Sequence, residues 1–414
     1  MAGVARVAVL SYHSSPLIEP GSGDAGGMTV YIRELASALA DQGIQTDIFT
    51  RATGDLPRVA SLAEGIRCMS IEAGPHEDLP KAEQEAFIDQ FAIGIRNFAI
   101  SQRLRYDLVH SHYWQSGLAA VQLSAWWGIP MVHSHHTLGH VKNRWLAPGD
   151  DPEPEERLRG ESDVIDEAHV LIASTEEESD QLAGLYGAAT ERLKVLPPGV
   201  DHQVFEPGDR GPARAELGLG DEPILLCVGR IQPLKGMDLA IEALARLEGS
   251  PAARLLVVGG ASGPRGREEA ARLRSIANDL GLEGRVDFVG QQPHARLPLY
   301  YQAADCLIVS SHSESFGLAA LEAQACGLPV VGARVGGLPH FVKDGNTGFL
   351  IDDRDASVLA ARLKVLLDDP ELRAEFGRAA RAGSESFSWK KTAEVFLELY
   401  ECLVREQFPE ACTC

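Results

Sequence analysis

Short runs rich in Val and Ile recur along this chain, each followed by a longer amphipathic stretch, and that alternation constrains the fold more than any other feature. Val4–Leu10, Thr46–Thr50, Leu108–His110, Met131–Ser134, Val170–Ala173 and Leu193–Leu196 read as strands, being brief, mostly apolar and bounded by turn residues. Strands that are apolar on both sides need cover on both faces, which helices crossing between parallel strands supply. After a break the pattern restarts with Ile224–Val228, Arg254–Val258, Val286–Val289, Cys306–Val309, Val330–Ala333 and Phe349–Ile351, separated by helical periodicity at Met237–Leu247 and Glu268–Leu280. The sequence therefore predicts an α/β chain with two doubly wound parallel sheets. Between the two series lie Pro197-Pro198-Gly199-Val200-Asp201 and Pro207-Gly208-Asp209-Arg210-Gly211-Pro212, ring-restricted and turn-forming residues that mark a linker and hinge. Domains over 1–205 and 206–389 follow, and the 414 residues suffice for two cores. The tail 390–414 is expected to cross back to the first domain, because Trp389–Phe408 is aromatic and amphipathic. Open α/β sheets bind ligands beyond the C-terminal ends of their strands, so the predicted site is the cleft between the domains.

Charge narrows the partners. With 38 Lys and Arg against 59 Asp and Glu, the formal net charge is −21. Such a surface cannot coat nucleic acid or an anionic bilayer, where affinity comes from cations displacing counterions. A discrete basic pocket is still allowed. The N-terminus enters Val4–Leu10 without the basic and long apolar regions of a signal peptide. No apolar stretch reaches the roughly 18 residues of a membrane span. Cys68, Cys227, Cys306, Cys326, Cys402, Cys412 and Cys414 are odd in number and include no C-x-x-C pair, so they read as thiols of a reducing compartment. A cytoplasmic protein is expected, with no nucleic-acid or membrane partner; its oligomeric state is not set, and a homodimer stays open.

Three motifs carry chemistry. Gly21-Ser22-Gly23-Asp24-Ala25-Gly26-Gly27-Met28 precedes the helical pattern Val30–Ala40, where backbone N–H groups can approach an anion at the positive end of a helix. It contains G-x-G-x-x-G, yet about ten residues separate it from the strand, whereas a nicotinamide site turns straight from strand to helix. A glycine-rich surface loop without a ligand reads as well. Next, Gly229-Arg230-Ile231-Gln232-Pro233-Leu234-Lys235-Gly236 follows a strand. Two cations there suit phosphate groups; a pair of solvated surface charges is the weaker alternative. Third, Glu314 and Glu322 stand in E-x7-E spacing ahead of Gly327-Leu328-Pro329. Glu314 is expected in the loop at a helix mouth and Glu322 farther along the helix, where carboxylates can accept from vicinal hydroxyls. The plain alternative is one acidic residue complementing the helix dipole and one ordinary helical Glu.

Together with Pro198-Gly199-Val200-Asp201, these motifs resemble, over nearly the whole chain, the retaining glycosyltransferases of family 4, with their two-domain GT-B fold. The resemblance implies that Arg230 and Lys235 hold a donor diphosphate, with Gly26 and Gly27 against it. Glu322 would take the nucleotide ribose and Glu314 the donor-sugar hydroxyls. The first domain would then bind the acceptor and the second the nucleotide-sugar donor. His136 would bond the donor sugar as a neutral imidazole at the cleft floor, and Arg230, Lys235, Glu314 and His136 are the residues assigned to catalysis. His110, His112, His133, His135 and His140 are read as packed strand-end residues. The i,i+4 pair His136 and His140 lacks the glutamate of H-E-x-x-H, so no metal site is expected. Asp353-Arg354-Asp355, a lone D-x-D triplet, reads as a helix cap. No cofactor and no divalent ion are expected to be needed.

Within the family, Pro16-Leu17, His110–Trp114, His136-Thr137-Leu138, Val141-Lys142-Asn143 and Pro152-Glu153-Pro154-Glu155 are similar to actinobacterial members that transfer N-acetylglucosamine from UDP to an inositol phosphate, the opening step of mycothiol synthesis. That likeness places acceptor-phosphate ligands on Lys81, Tyr113, Thr137 and Arg157. It also marks departures. Thr29 stands where the relatives have an Asn on the inositol hydroxyls, and one hydroxyl cannot reproduce an amide's donor and acceptor. Arg159-Gly160-Glu161-Ser162-Asp163 departs as well. An acceptor of natural-product synthesis, such as an aminocyclitol antibiotic precursor or a carboxylate-bearing metabolite, stays open, as does the donor base among UDP, GDP and ADP. A non-catalytic binding protein of this fold is the remote alternative, and it would be expected to lose Arg230, Lys235 or Glu314.

Overall fold

The computed structural model describes residues 3–407 apart from 22, 24, 78, 148–149, 248–252 and 264. In the first sheet the strands are β1 (Arg6–Leu10), β2 (Gln45–Arg51), β3 (Val59–Ala63), β4 (Ile66–Ile71), β5 (Leu108–His112), β6 (Met131–Ser134), β7 (Val170–Ala173) and β8 (Leu193–Val195), in the spatial order β3-β4-β2-β1-β5-β6-β7-β8. All neighbours run parallel except β3 and β4. The second sheet is wholly parallel, with β9 (Ile224–Val228), β10 (Arg254–Val258), β11 (Val286–Gly290), β12 (Cys306–Val309), β13 (Val330–Ala333) and β14 (Gly348–Ile351) in the order β11-β10-β9-β12-β13-β14. The parallel strands of each sheet thus reverse their order once, at β1/β5 and at β9/β12. Those are the points where loops diverge and leave a crevice for a ligand.

Alternation along a strand explains the two apolar faces read from the sequence. In β1, Ala8 and Leu10 join one core cluster while Val7 and Val9 join the cluster on the opposite face. In β9, Leu225 and Cys227 face one layer and Ile224 and Leu226 the other. Both sheets are sandwiched by helices, so successive side chains are buried in turn.

The strands predicted from Val and Ile runs lie where expected, to within about two residues. The β3–β4 pair was not anticipated. Val59 and Leu62 of β3 are exposed, and an antiparallel edge strand without a buried face leaves no apolar run to read.

The chain crosses between the sheets twice at one place. Val200 N–H donates to Phe387 O at 3.2 Å, and Thr392 Oγ1 donates to Pro197 O at 3.0 Å. The helix Trp389–Gln407 then lies on the first sheet's outer layer. Trp389, Ala393, Phe396 and Tyr400, spaced as one helical stripe, are buried beside Val7, Val9, Tyr31 and Leu35. Tyr400 Oη lies 2.7 Å from His110 Nδ1 on β5. Cys68, Cys227, Cys306 and Cys326 are buried free thiols and Cys402 is exposed; Cys412 and Cys414 lie outside the described residues. Among the described residues, no helix is long and apolar enough to cross a membrane.

Gly199 is the tightest point of the double crossing, because a Cβ there would stand 2.1 Å from the Trp389 amide nitrogen. Gly199→Ala is expected to destabilise the protein by about 3 kcal/mol or more in urea unfolding. At Gly43 the φ is +86° and nothing lies near the added methyl, so Gly43→Ala is expected to cost only the left-handed penalty of about 1–2 kcal/mol.

Candidate active site

One cavity of about 600 Å³ opens between the two sheets, at the C-terminal ends of their strands. On the second sheet its wall is built at the β9/β12 reversal. After β9, Gly229 (φ +149°) packs so closely against Gly259 that a Cβ on Gly259 would meet Gly229 O at 1.9 Å. That approach turns the chain into the cleft at Arg230, whose Nη1 donates to Ser262 Oγ at 3.3 Å. The 3-10 turn Pro233–Lys235 then delivers Lys235 ahead of the Met237–Ala245 helix. From the neighbouring β12 loop comes Glu314, and Lys235 Nζ donates to its Oε2 at 2.6 Å, with Ser311 Oγ 3.3 Å from the same oxygen. Gly336 holds that loop in place: a Cβ there would fall 1.5 Å from Glu314 O. Gly317 (φ +100°) turns the loop into the Leu318–Ala325 helix, which carries Glu322. The glutamates predicted at a helix mouth and inside the helix stand there, and both line the cavity.

The glycine loop closes the cleft from the first sheet. Gly26 precedes the Gly27–Ala40 helix, and a Cβ on it would stand 3.1 Å from Arg230 Nε. Ser262 Oγ donates to Gly23 O, and Gln291 Nε2 to Pro20 O at 3.1 Å. Gly26 and Gly27 line the cavity beside Arg230.

On the first sheet, Tyr113 follows β5 and His136 follows β6, both with left-handed backbone (φ 73° and 62°). Such conformations are costly for residues with side chains and cluster at functional sites. Arg157, 2% exposed, stacks over the Tyr113 ring at 5.0 Å and donates through Nη2 to Thr137 Oγ1 at 3.0 Å and Thr137 O at 3.1 Å. Tyr113, His136, Thr137 and Arg157 all line the cavity. Arg157 is held from behind by Glu153 (Nη1 to Oε2, 2.8 Å) and Glu161 (Nε to Oε1, 2.7 Å). Burial opposes its charge, yet Tyr113, Glu161 and Glu153 outweigh it and make the guanidinium more basic than usual. Lys142, which also faces the cavity, pairs with Glu153. Burial works against the Glu153 carboxylate, but Arg157 and Lys142 pull it down to about 2.

Five buried or half-buried imidazoles form a layer under this floor. His136 Nε2 lies 2.8 Å from His112 Nδ1, and His110 Nε2 lies 3.0 Å from Ser134 Oγ. Burial first, and neighbouring charge second, lower the pKa of His110, His135 and His136 to about 3, and those of His112 and His133 well below the usual value. Burial at His136 thus disfavours the charged imidazole. His140 lies apart, against Tyr186 at 4.8 Å between ring centroids. Among the described residues no group of three or more His, Cys, Asp or Glu is arranged to hold a metal.

Two models of known families cover the chain: a glycosyl transferase 4-like domain over residues 26–199 and glycosyl transferases group 1 over 209–383. It is 47% identical to the D-inositol 3-phosphate glycosyltransferase of Acidothermus cellulolyticus over 97% of its own length and 91% of that protein's. With the D-inositol 3-phosphate glycosyltransferase of Mycobacteroides abscessus it shares 48%, over 95% and 88%. The chain belongs to the family 4 glycosyltransferases. Sucrose-phosphate synthase from Thermosynechococcus elongatus superposes with a TM-score of 0.90 at 32% identity, covering 97% of this chain and 100% of that one. Anabaena HepE superposes with a TM-score of 0.78 at 23%, over 96% and 100%, a likeness of fold alone. The architecture is GT-B.

One expected acceptor residue of this glycosyltransferase is placed otherwise. Thr29 is fully buried, its Oγ1 lies 2.9 Å from Ser14 Oγ, and it does not line the cavity. On the Gly27–Ala40 helix its neighbours Met28 and Val30 face the cleft, so the turn of the helix carries Thr29 away. Lys81 opens the short helix Lys81–Gln84, but its side chain lies outside the described residues. Asp355 caps the Ala356–Asp368 helix by accepting from Ser357 N at 2.7 Å, the role read for the D-x-D triplet. Gly160, within the segment that departs from the relatives, has Trp114 where a Cβ would go, at 2.5 Å.

Among the cavity residues that escaped the sequence are Glu178 and His294. Glu178 is buried, accepts from Ser174 N at 2.7 Å, and is pushed by burial, against those hydrogen bonds, up to about 7. Its signal is Thr175-x-x-Glu178, an N-terminal capping pattern, and Thr175 Oγ1 does accept from Glu178 N at 3.1 Å. A residue explained by its helix gave no reason to look further.

The imidazole layer sets a pH dependence. A histidine kept neutral by burial binds its proton in the unfolded chain near pH 6.5 and in the folded chain only near 3. Its stabilisation is complete above 6.5 and is lost as pH falls through that window, by up to about 1.4 kcal/mol per pH unit for each imidazole. Urea midpoints are expected to drop steeply between pH 7 and 5. His135→Leu is expected to flatten that slope, because neither His135 nitrogen has a hydrogen-bond partner among the described residues.

Proposed function

We propose that this enzyme transfers N-acetylglucosamine from UDP-N-acetylglucosamine to a cyclitol phosphate, 1D-myo-inositol 3-phosphate, with retention at the anomeric carbon. The observation that carries the reading is the shared cavity: Arg230, Lys235, Glu314 and Glu322 line one wall, and Tyr113, Thr137 and Arg157 the other. The relatives' acceptor, named in D-inositol 3-phosphate glycosyltransferase, supports the cyclitol phosphate. So does the pairing of a fixed guanidinium with two hydroxyls, a donor set matched to a phosphate.

In this reading Arg230 and Lys235 neutralise the diphosphate as it leaves, and the leaving oxygen takes the acceptor's proton while the acceptor hydroxyl approaches from the same face. Neither glutamate attacks the sugar. Glu314, fixed by Lys235 and Ser311, accepts from donor-sugar hydroxyls, and Glu322 from the ribose. Neutral His136 bonds the donor sugar without adding charge. Holding both substrates in one cavity and meeting the developing charge with preset cations supplies the catalysis. Those two cations make a divalent ion unnecessary, so full turnover in excess chelator is expected.

Position 29 favours a second reading. Because the Thr29 hydroxyl faces Ser14, it offers the acceptor ring no contact, and a natural-product acceptor with another ring fits that change. One panel separates the two: UDP-, GDP- and ADP-sugars against inositol phosphate, free inositol and 2-deoxystreptamine, read by mass spectrometry. Transfer only to an unphosphorylated acceptor would sink the first reading. Lys235→Ala is expected to lower kcat about a hundredfold, and a loss of only a few-fold would remove Lys235 from the mechanism. Thr137→Val should raise the acceptor KM about tenfold while leaving the donor KM unchanged.

A further inference from the structure

Glu322 is held more firmly than a surface helix residue would be. It is 6% exposed, and both of its oxygens are engaged: Tyr301 Oη donates to Oε2 at 2.9 Å, and His294 Nε2 lies 2.7 Å from Oε1. Tyr301 is itself buried, against Phe205. A narrow space beside the pair is walled by Glu322 and His294 from the second sheet's half, Glu34 from the Gly27–Ala40 helix, Asp201 from the linker and Trp389 from the tail. His294 and Glu322 also line the main cavity.

We propose that His294 is a positioning residue for the donor, fixing the Glu322 carboxylate so that its remaining lone pairs face the two ribose hydroxyls. The proposal rests on the reading of Glu322 as the ribose ligand. A carboxylate offers about four lone-pair directions. Tyr301 and His294 take one on each oxygen, which leaves each oxygen able to accept from one hydroxyl of a vicinal diol. A glutamate otherwise loses side-chain freedom when it grips a ligand, and a two-point tether removes that freedom beforehand. Charge keeps the tether in place. Burial alone favours neutral His294, but Glu322, by charge and hydrogen bond, and Glu34, by charge, outweigh burial and the opposing Arg33, so the imidazole is more basic than usual. Glu34 comes from the other half of the molecule, so the ribose ligand is steadied from across the domain boundary.

The test is calorimetric binding of UDP and of 2′,3′-dideoxy-UDP to the full chain. His294→Ala is expected to weaken UDP about tenfold and to leave 2′,3′-dideoxy-UDP unchanged, because that analogue has no diol to hold. His294→Gln, whose amide can still donate to Oε1, should recover most of the loss. In turnover the donor KM should rise more than kcat falls. Equal weakening of both nucleotides would mean structural damage and overturn the proposal. Glu322→Ala, run alongside, separates the two ideas. If it weakens UDP while His294→Ala does not, His294 has no positioning role. If neither matters, or UDP does not bind the wild type, the donor reading falls and the proposal with it.

Discussion

Two passages of backbone lying against each other at one point decide how the rest of this molecule can work. Each sheet, with its parallel strands, gathers its loops at a single edge, and alone either edge is half a site. The linker at 197–200 and the return at 387–392 bind each other through Val200, Phe387, Thr392 and Pro197, with Gly199 admitting the close approach. That joint turns the loops after β1, β5 and β6 toward the loops after β9 and β12. The Trp389–Gln407 helix anchors the joint to the first sheet, down to the contact between Tyr400 and His110.

Electrostatics repeat the same economy on a smaller scale. The chain carries −21 overall, yet the cavity wall has six cations (Lys142, Arg157, Arg230, Lys235, Arg334, Arg354) and five carboxylates (Glu177, Glu178, Glu314, Glu322, Asp352). The cleft is therefore close to neutral, not broadly basic. Its cations are fixed one by one: Arg157 by Glu153 and Glu161, Lys142 by Glu153, Lys235 by Glu314. Selectivity for an anionic ligand in such a cleft comes from where the donors point, since a buried cation without its carboxylate would be far costlier to keep.

Much of this was legible in the sequence, for definite reasons. β1, β9 and their neighbours announce themselves because both faces are buried, which forces apolar residues at nearly every position. Arg230, Lys235 and Glu314 were legible because loops at strand ends have few structural duties, so charged residues stand out there, and Glu322, inside the following helix, through its fixed spacing from Glu314. The failures have equally physical causes. β3 packs no face and leaves no pattern. Thr29 was misplaced because one step along a helix turns a side chain by about 100°, which a motif does not encode. Glu178 was hidden behind its own capping geometry. The bracing of Arg157 was open to reading, since Glu153 and Glu161 flank it at four residues on either side.

Tyr113 and His136 stand at strand ends with left-handed backbone, where glycine would be the relaxed choice. Glycine at either position would ease the turn and remove a ring from the cavity. Backbone strain and ring packing therefore pull in opposite directions at these two positions. The Tyr113 ring is buried against Arg157 and His13, and His136 is tied to His112 and Tyr31, so packing outweighs about 1–3 kcal/mol of backbone strain and selection for thermal resistance would keep both rings as firmly as selection for turnover.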